Sequence, residues 1–232
     1  MKVFKSLNRR SLNYTKNSVL IIGNLDGVHK GHQSIINSAK KIANKQKTKI
    51  GVLLFDPHPR KYFNKNIKSF LLTKLNERLE ILKSYGIDYA IIIKFNKRIS
   101  SMTPNDFCKK ILLRGISMKY ILVGKNFKFG NKRSGDYKFL LNFGKENQFY
   151  VNPVKLLKTP NHLFNKTKMK IYSSTNIRKL ISNGNVKLAK NFLGNNFSIT
   201  SKVIKGDQRG RKIGVPTANL NINEYVAPKY GV

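Results

Sequence analysis

Short apolar runs recur along the chain, at 19–22 (VLII), 50–55, 89–95 and 120–123, and 149–154 reads as a fifth strand. Unbroken aliphatic runs, as opposed to alternating ones, mark strands buried on both faces. Between them the apolar residues fall at helical spacing. Ile35, Ile36, Ala39, Ile42 and Ala43 follow the first run, in a helix that should start around Gly31-His32. Leu75, Leu79 and Leu82 mark a second helix, which Gly86 ends. Thr103-Pro104-Asn105-Asp106 opens a third, with a Thr cap, Pro at the first position and an acid at the third; Phe107, Ile111 and Leu112 form its core side. Phe139, Leu140 and Phe143 suit a fourth. Strands alternating with helices predict an α/β fold, a parallel sheet covered on both faces.

Further on, Ser173-Ser174-Thr175 precedes Ile177, Leu180 and Ile181, with Gly184 as terminator, a capped short helix. Residues 186–193 form another. From Phe197 the texture changes to alternation and then a Gly/Arg-rich loop. The domain boundary is expected near 184–196, giving a domain of 1–184 and a remainder of 185–232.

Composition removes several classes. The chain has 232 residues, 40% of them hydrophobic and 10% aromatic, enough for a core and too many for a disordered chain. No apolar run approaches bilayer length, and residues 1–18 lack the apolar stretch of a secretory signal. A single cysteine, Cys108, makes neither an internal disulfide nor a metal site, and a reducing cytoplasm is the expected compartment. The formal charge is +36, from 46 Lys plus Arg against 10 Asp plus Glu. The cations are mostly Lys and dispersed along the chain, without the Arg-rich stripe of a nucleic-acid reader. Such a surface attracts anionic small molecules and is screened by salt.

Two segments carry chemistry. The first is Gly23-Asn24-Leu25-Asp26-Gly27-Val28-His29-Lys30-Gly31-His32, directly after the first strand. Glycines there let a backbone approach a phosphate, and the following helix offers free N–H groups and a positive dipole end. His29 and His32, three apart at the helix entrance, can donate to phosphate oxygens. No third ligand stands at zinc spacing. The second is Ser173-Ser174-Thr175-Asn176-Ile177-Arg178, with hydroxyls at a helix start and an Arg one turn in. Taken alone this is an ordinary cap. Placed with the first at the C-terminal edge of one parallel sheet, it becomes a triphosphate clamp.

These segments, together with LLFDPHP (53–59), SMTPNDF (101–107) and ILVGKNFKFGNKRSGD (121–136), resemble the adenylyltransferase half of the bacterial bifunctional riboflavin kinase/FMN adenylyltransferases. Leu25 stands where that family usually has Phe, and Tyr172 where it has a small aliphatic residue. The resemblance implies a Rossmann-like nucleotidyltransferase domain that moves AMP from ATP to FMN. It implies ATP held by Gly23, Asn24, Asp26, His29, Gly31 and His32 on one side and by Ser174, Thr175 and Arg178 on the other. It implies FMN near Phe55, Asp56, Pro57, Asn126 and Phe127, although Phe55 and Phe127 equally suit core packing. The FMN phosphate is already a nucleophile, so no general base is needed. His29, His32, Arg178, the helix N-termini and Mg²⁺ are expected to supply positive charge, with Mg²⁺ held by phosphates and water because acids are scarce.

The stretch 197–219, FSITSKVIKGDQRGRKIGVPTAN, resembles the opening of the riboflavin kinase module, including Pro216-Thr217-Ala218-Asn219. The resemblance implies that Thr217 and Asn219 hold Mg-ATP there. Only the incomplete start of that β-barrel fits into the remaining residues, and the family's catalytic Glu has no counterpart here. The expectation is therefore a chain that lacks kinase activity. Two other readings stay open: a nucleotidyltransferase with a different phosphorylated acceptor, and a basic nucleic-acid-binding protein. Partners are expected to be the small molecules ATP and FMN.

Overall fold

The computed structural model describes residues 1–67, 69–206, 214–215 and 217–229. Pro216 and most of the Gly/Arg-rich loop named above lie outside the described residues. In chain order the first half comprises β1 (Lys2–Phe4), α1 (Arg9–Thr15), β2 (Val19–Ile22), α2 (Lys30–Gln46), β3 (Ile50–Asp56), α3 (Pro59–Phe63), α4 (Leu75–Ser84) and β4 (Tyr89–Lys94). Then come α5 (Lys97–Ser100), α6 (Pro104–Asp106), a π-helix (Phe107–Ile116), β5 (Tyr120–Gly124), β6 (Lys128–Phe129), a 3-10 turn (Asn131–Arg133) and β7 (Gly135–Asp136). The remainder is α7 (Tyr137–Glu146), β8 (Tyr150–Val154), α8 (Asn161–Thr167), α9 (Ser174–Ser182), α10 (Val186–Leu193), β9 (Val203–Ile204) and β10 (Asn219–Leu220).

These five stretches are five strands of one six-stranded sheet, ordered β1-β4-β3-β2-β5-β8 and parallel throughout. The period of two divides their side chains. Leu20, Ile22, Leu53, Ile91, Ile121 and Val123 pack on one face with Phe107, Ile111, Leu112 and Leu140. Val19, Ile21, Val52, Leu54, Ile92 and Leu122 pack on the other with Ile36, Ala39, Leu79 and Leu82. Strands covered this way need apolar residues at nearly every position, which is why β2, β3, β4 and β5 read as apolar runs, whereas edge strand β8 leaves Tyr150 and Asn152 exposed. Among the described residues no helix is long and apolar enough to cross a membrane.

The sixth strand, β1, was not expected from the sequence. It is three residues long and draws its hydrogen bonds from β4, so no local pattern announces it. The helix opened by Thr103 does form, and Thr103 accepts from the Asp106 N–H at 3.0 Å. From Phe107 onward it widens to a π-helix. Its buried residues, Phe107, Cys108, Ile111, Leu112 and Ile116, recur at the longer spacing that a wider turn brings to one face.

Strand order reverses direction between β2 and β5, so the connections leaving their C-terminal ends diverge to opposite faces of the sheet. That divergence opens a crevice. A third apolar cluster closes one side of it: Leu72, Tyr172, Ile177, Leu180, Ile181, Ala189, Phe192, Leu193 and Val226. Helix α10 and Val226 both contribute, so packing runs across the expected boundary at 184. Thr217 and Asn219 are exposed, Asn219 in a two-stranded ribbon opposite Ile204.

Candidate active site

The crevice is a cleft of about 420 Å³ beyond the ends of β2 and β5. Of the residues singled out from the sequence, it is lined by Gly23, Asn24, Asp26, His29, Gly31, His32, Phe55, Asn126, Phe127, Ser174, Thr175 and Arg178. The two helix starts, some 150 residues apart in the chain, open onto the same space. Asp56 and Pro57 are exposed and stand outside its walls, as do Thr217 and Asn219.

The first wall is the β2–α2 turn. His29 caps α2 through Nδ1, which accepts from the His32 N–H at 3.3 Å. An imidazole accepting at Nδ1 keeps its hydrogen on Nε2 when neutral. The His32 ring stacks on that of His29, centroids 3.6 Å apart and planes 20° from parallel. Gly31 makes the arrangement possible: a Cβ there would stand 3.0 Å from His29 Cε1 and 3.2 Å from the Tyr172 carbonyl. The glycine thus lets the histidine ring and the segment leading to the second motif approach together. Leu25 and Val28 hold φ values of 49° and 39°. For β-branched Val28 above all, that is a costly conformation, kept only where the surroundings over-determine it.

The second wall is the start of α9. Ser173 accepts from the Asn176 N–H at 3.1 Å and caps the helix. Ser174 donates to the Asp26 carbonyl at 3.0 Å, tying the two walls together. Thr175 is exposed to the cleft.

Asp26 joins everything. It is 2% exposed, and its carboxylate receives five donor groups. These are the Leu72 and Thr73 N–H groups, the Thr73 hydroxyl, Arg78 Nη2 at 3.2 Å and Arg178 Nη2 at 2.5 Å. Burial alone would raise its pKa, but the two guanidiniums and the backbone donors hold it below the usual carboxylate range. Arg178 also donates from Nε to the Phe70 carbonyl at 2.7 Å, and its guanidinium lies 3.8 Å from the centre of the Phe70 ring.

The histidines differ from expectation. Burial pushes His29 down to about 4, with Arg178 acting in the same direction and Asp26 opposing. Burial, His29 and the two arginines push His32 well below its ordinary value. Burial thus favours the neutral form of both rings at neutral pH, and the full positive charges on the cleft are those of its arginines and lysines. A neutral ring still donates. Two buried polar atoms among the described residues lack a partner, Asn24 Nδ2 and His32 Nδ1. Both belong to cleft-lining residues, and an orphaned buried polar atom calls for a ligand or a water. Asn24 Oδ1 is engaged, accepting from the Phe55 N–H at 3.0 Å.

The far side of the cleft is aromatic. Phe127 stacks on Phe129 at 5.5 Å and 15°, while Phe55 meets Phe95 edge-on at 5.6 Å and 82°. Phe55 and Phe127 are each half-buried, so core packing and an apolar face toward the cleft coexist in both. Sequence reasoning missed His58, Phe70 and Arg78. His58 lies within a quoted motif and also lines the cleft. Arg78 lies inside a helix read only for its leucines, and Phe70 had no local signal. Among the described residues, no three His, Cys, Asp or Glu side chains gather as metal ligands. Asp26 has no lone pair to spare, so the donor set does not fit a protein-held Mg²⁺.

A family model described as FAD synthetase matches residues 11–168, and one described as riboflavin kinase matches residues 193–232. The bifunctional riboflavin kinase/FMN adenylyltransferase of Buchnera aphidicola subsp. Schizaphis graminum is 36% identical, across 100% of this chain and 72% of that protein. The protein of the same name from Escherichia coli strain K12 is 33% identical, again across 100% and 72%. A crystal structure titled macrolide-efflux protein, from Streptococcus pneumoniae, superposes with a TM-score of 0.79 at 28% identity. It covers 100% of this chain and 73% of its own.

Proposed function

The chain belongs to the bifunctional riboflavin kinase/FMN adenylyltransferase family and is an FMN adenylyltransferase, and we propose that AMP passes from ATP to FMN in the cleft beyond β2 and β5. An FMN phosphate oxygen attacks the α-phosphorus of ATP. The bond from that phosphorus to the bridging oxygen breaks, and pyrophosphate leaves with the electron pair. The nucleophile is already ionised, so the work is alignment of anions and stabilisation of the charge that builds on the leaving group.

The residues divide accordingly. His29 and His32 act as neutral hydrogen-bond donors, with the N-terminus of α2 behind them. Thr175 offers a hydroxyl from the start of α9, Ser174 ties that start to the Asp26 carbonyl, and Arg178 supplies positive charge. Asp26 is engaged by its five donors, so its role is to position Arg178 instead of touching a phosphate. Phe55, Asn126 and Phe127 form the flavin side. Any Mg²⁺ enters as part of the ATP substrate, carried on its phosphates. A reducing cytoplasm suits the lone buried Cys108.

The observation that carries the reading is the convergence of two capped helix starts on one cleft, tied at Asp26 and leaving Asn24 Nδ2 and His32 Nδ1 unpartnered. The test is incubation with ATP and FMN, FAD being quantified by chromatography. Parallel reactions with phosphopantetheine and nicotinamide mononucleotide separate the acceptors. FAD formation with FMN alone supports the reading; product from another acceptor, or none, overturns it. For riboflavin phosphorylation, the described residues that match the kinase model provide one two-stranded ribbon, with Thr217 and Asn219 exposed.

A further inference from the structure

The loop 70–73 supplies most of what holds Asp26 and Arg178. Leu72 and Thr73 donate to Asp26, and Phe70 gives Arg178 both a carbonyl and a ring face. That loop is itself held from the far end of the chain. The Glu224 carbonyl accepts from the Phe70 N–H at 3.1 Å and the Leu71 N–H at 2.8 Å. The Val226 N–H donates to the Leu71 carbonyl at 2.9 Å, in a parallel bridge between Leu71 and Tyr225.

The side chains lock the same contact. Tyr225 is fully buried. Its hydroxyl donates to the Glu77 carboxylate and meets the backbone of Thr200, and Lys74 Nζ lies 4.8 Å from its ring centre. Val226 is buried with Leu72, Ile177 and Leu180, the last two from the helix that carries Arg178. Lys61 pairs with Glu224 at 3.0 Å. A single residue, Phe70, links the Glu224 carbonyl to the Arg178 guanidinium.

We propose that Glu224–Val226, within the stretch matched by the riboflavin kinase model, is a strap that sets the ATP side of the transferase cleft, and that Tyr225 is a positioning residue acting through Phe70 and Arg178. The inference rests on the ATP assignment made above. It couples the two matched regions of the chain: the second completes the site built largely by the first.

The experiment uses the full chain with Tyr225→Ala and Tyr225→Phe. ATP and FMN are varied separately in the FAD assay, and backbone amide exchange is followed at residues 70–73. Tyr225→Ala is expected to raise the KM for ATP at least fivefold, leave the KM for FMN within twofold, and speed exchange at 70–73 at least tenfold. Tyr225→Phe keeps the ring and loses the hydroxyl contacts, so both effects should be smaller but measurable. An ATP KM and a 70–73 exchange rate that stay within twofold of wild type overturn the proposal. So does a rise in both KM values together with faster exchange throughout the chain, which marks general loosening. If Tyr225→Ala does not fold, the Tyr225→Phe result decides alone. A wild-type chain that makes no FAD sinks the transferase reading, whereas exchange at 70–73 still judges the strap.

Discussion

Replacing Asp26 by Asn would keep the shape of the side chain and remove the charge that two guanidiniums face. Arg78 is 3% exposed and cannot turn to water. Leaving such a partner uncompensated costs about 3–5 kcal/mol, so Asp26→Asn is expected to shift the urea unfolding curve by that order, with activity lost as Arg178 drifts. His32→Ala removes a donor from the cleft without touching the Asp26 network. FAD formation should fall more than tenfold while the unfolding midpoint stays near wild type. The buried His29 also writes itself into pH behaviour. Its value falls from 6.5 to about 4 on folding, so between those limits the unfolded chain binds more protons than the folded one. Stability should therefore be full above pH 6.5 and decline toward pH 4, by on the order of 3 kcal/mol for this group. Below that, Asp26 adds its own loss, since a carboxylate held low by pairing contributes stability that disappears as it is protonated. Urea midpoints across pH 4–8 check this, and His29→Asn, which can still cap α2, should flatten the upper part of the slope.

At the scale of elements, the start of α9 presents both a cap and a cleft wall. Ser173→Ala removes the acceptor for the Asn176 N–H and should cost about 1 kcal/mol. The same change frays the turn bearing Ser174 and Thr175, so the KM for ATP should rise while that for FMN holds; separate titrations of the two substrates decide it. Five strands and helices α2, α4, α7, α9 and α10 could be read from the chain because each has a buried face long enough to impose its own period. Short α1, α3, α5 and α8, the β6–β7 hairpin and three-residue β1 could not. They owe their form to contacts distant in sequence. The same reason hid the centre of the site. Asp26 was visible as part of a motif, but its pairing with Arg78 spans 52 residues and that with Arg178 spans 152. No local pattern reports such closure. The strongest local signal, His-x-Gly-His, was readable because a glycine between two rings has a steric purpose that Gly31 serves.

For the molecule as a whole, a charge of +36 surrounds a cleft whose walls include Arg60, Lys128, Arg133, Lys155 and Arg178. Lys128 is partly offset by Asp136 at 3.2 Å. Between 0.1 and 1 M salt the screening length shrinks from about 10 Å to about 3 Å. The apparent affinity for the tetra-anionic nucleotide should fall severalfold over that range, whereas the unfolding midpoint, set mainly by the three apolar clusters, should move little. Steady-state titration of ATP at several ionic strengths checks this. Those clusters also say where the polypeptide resists surgery. Cutting after Gly184, or anywhere before Glu224, to obtain a freestanding catalytic half would strip the acceptor from the Phe70 and Leu71 amides and uncover Leu72. The fragment would retain every residue that lines the cleft, yet the hand holding them would have lost its wrist.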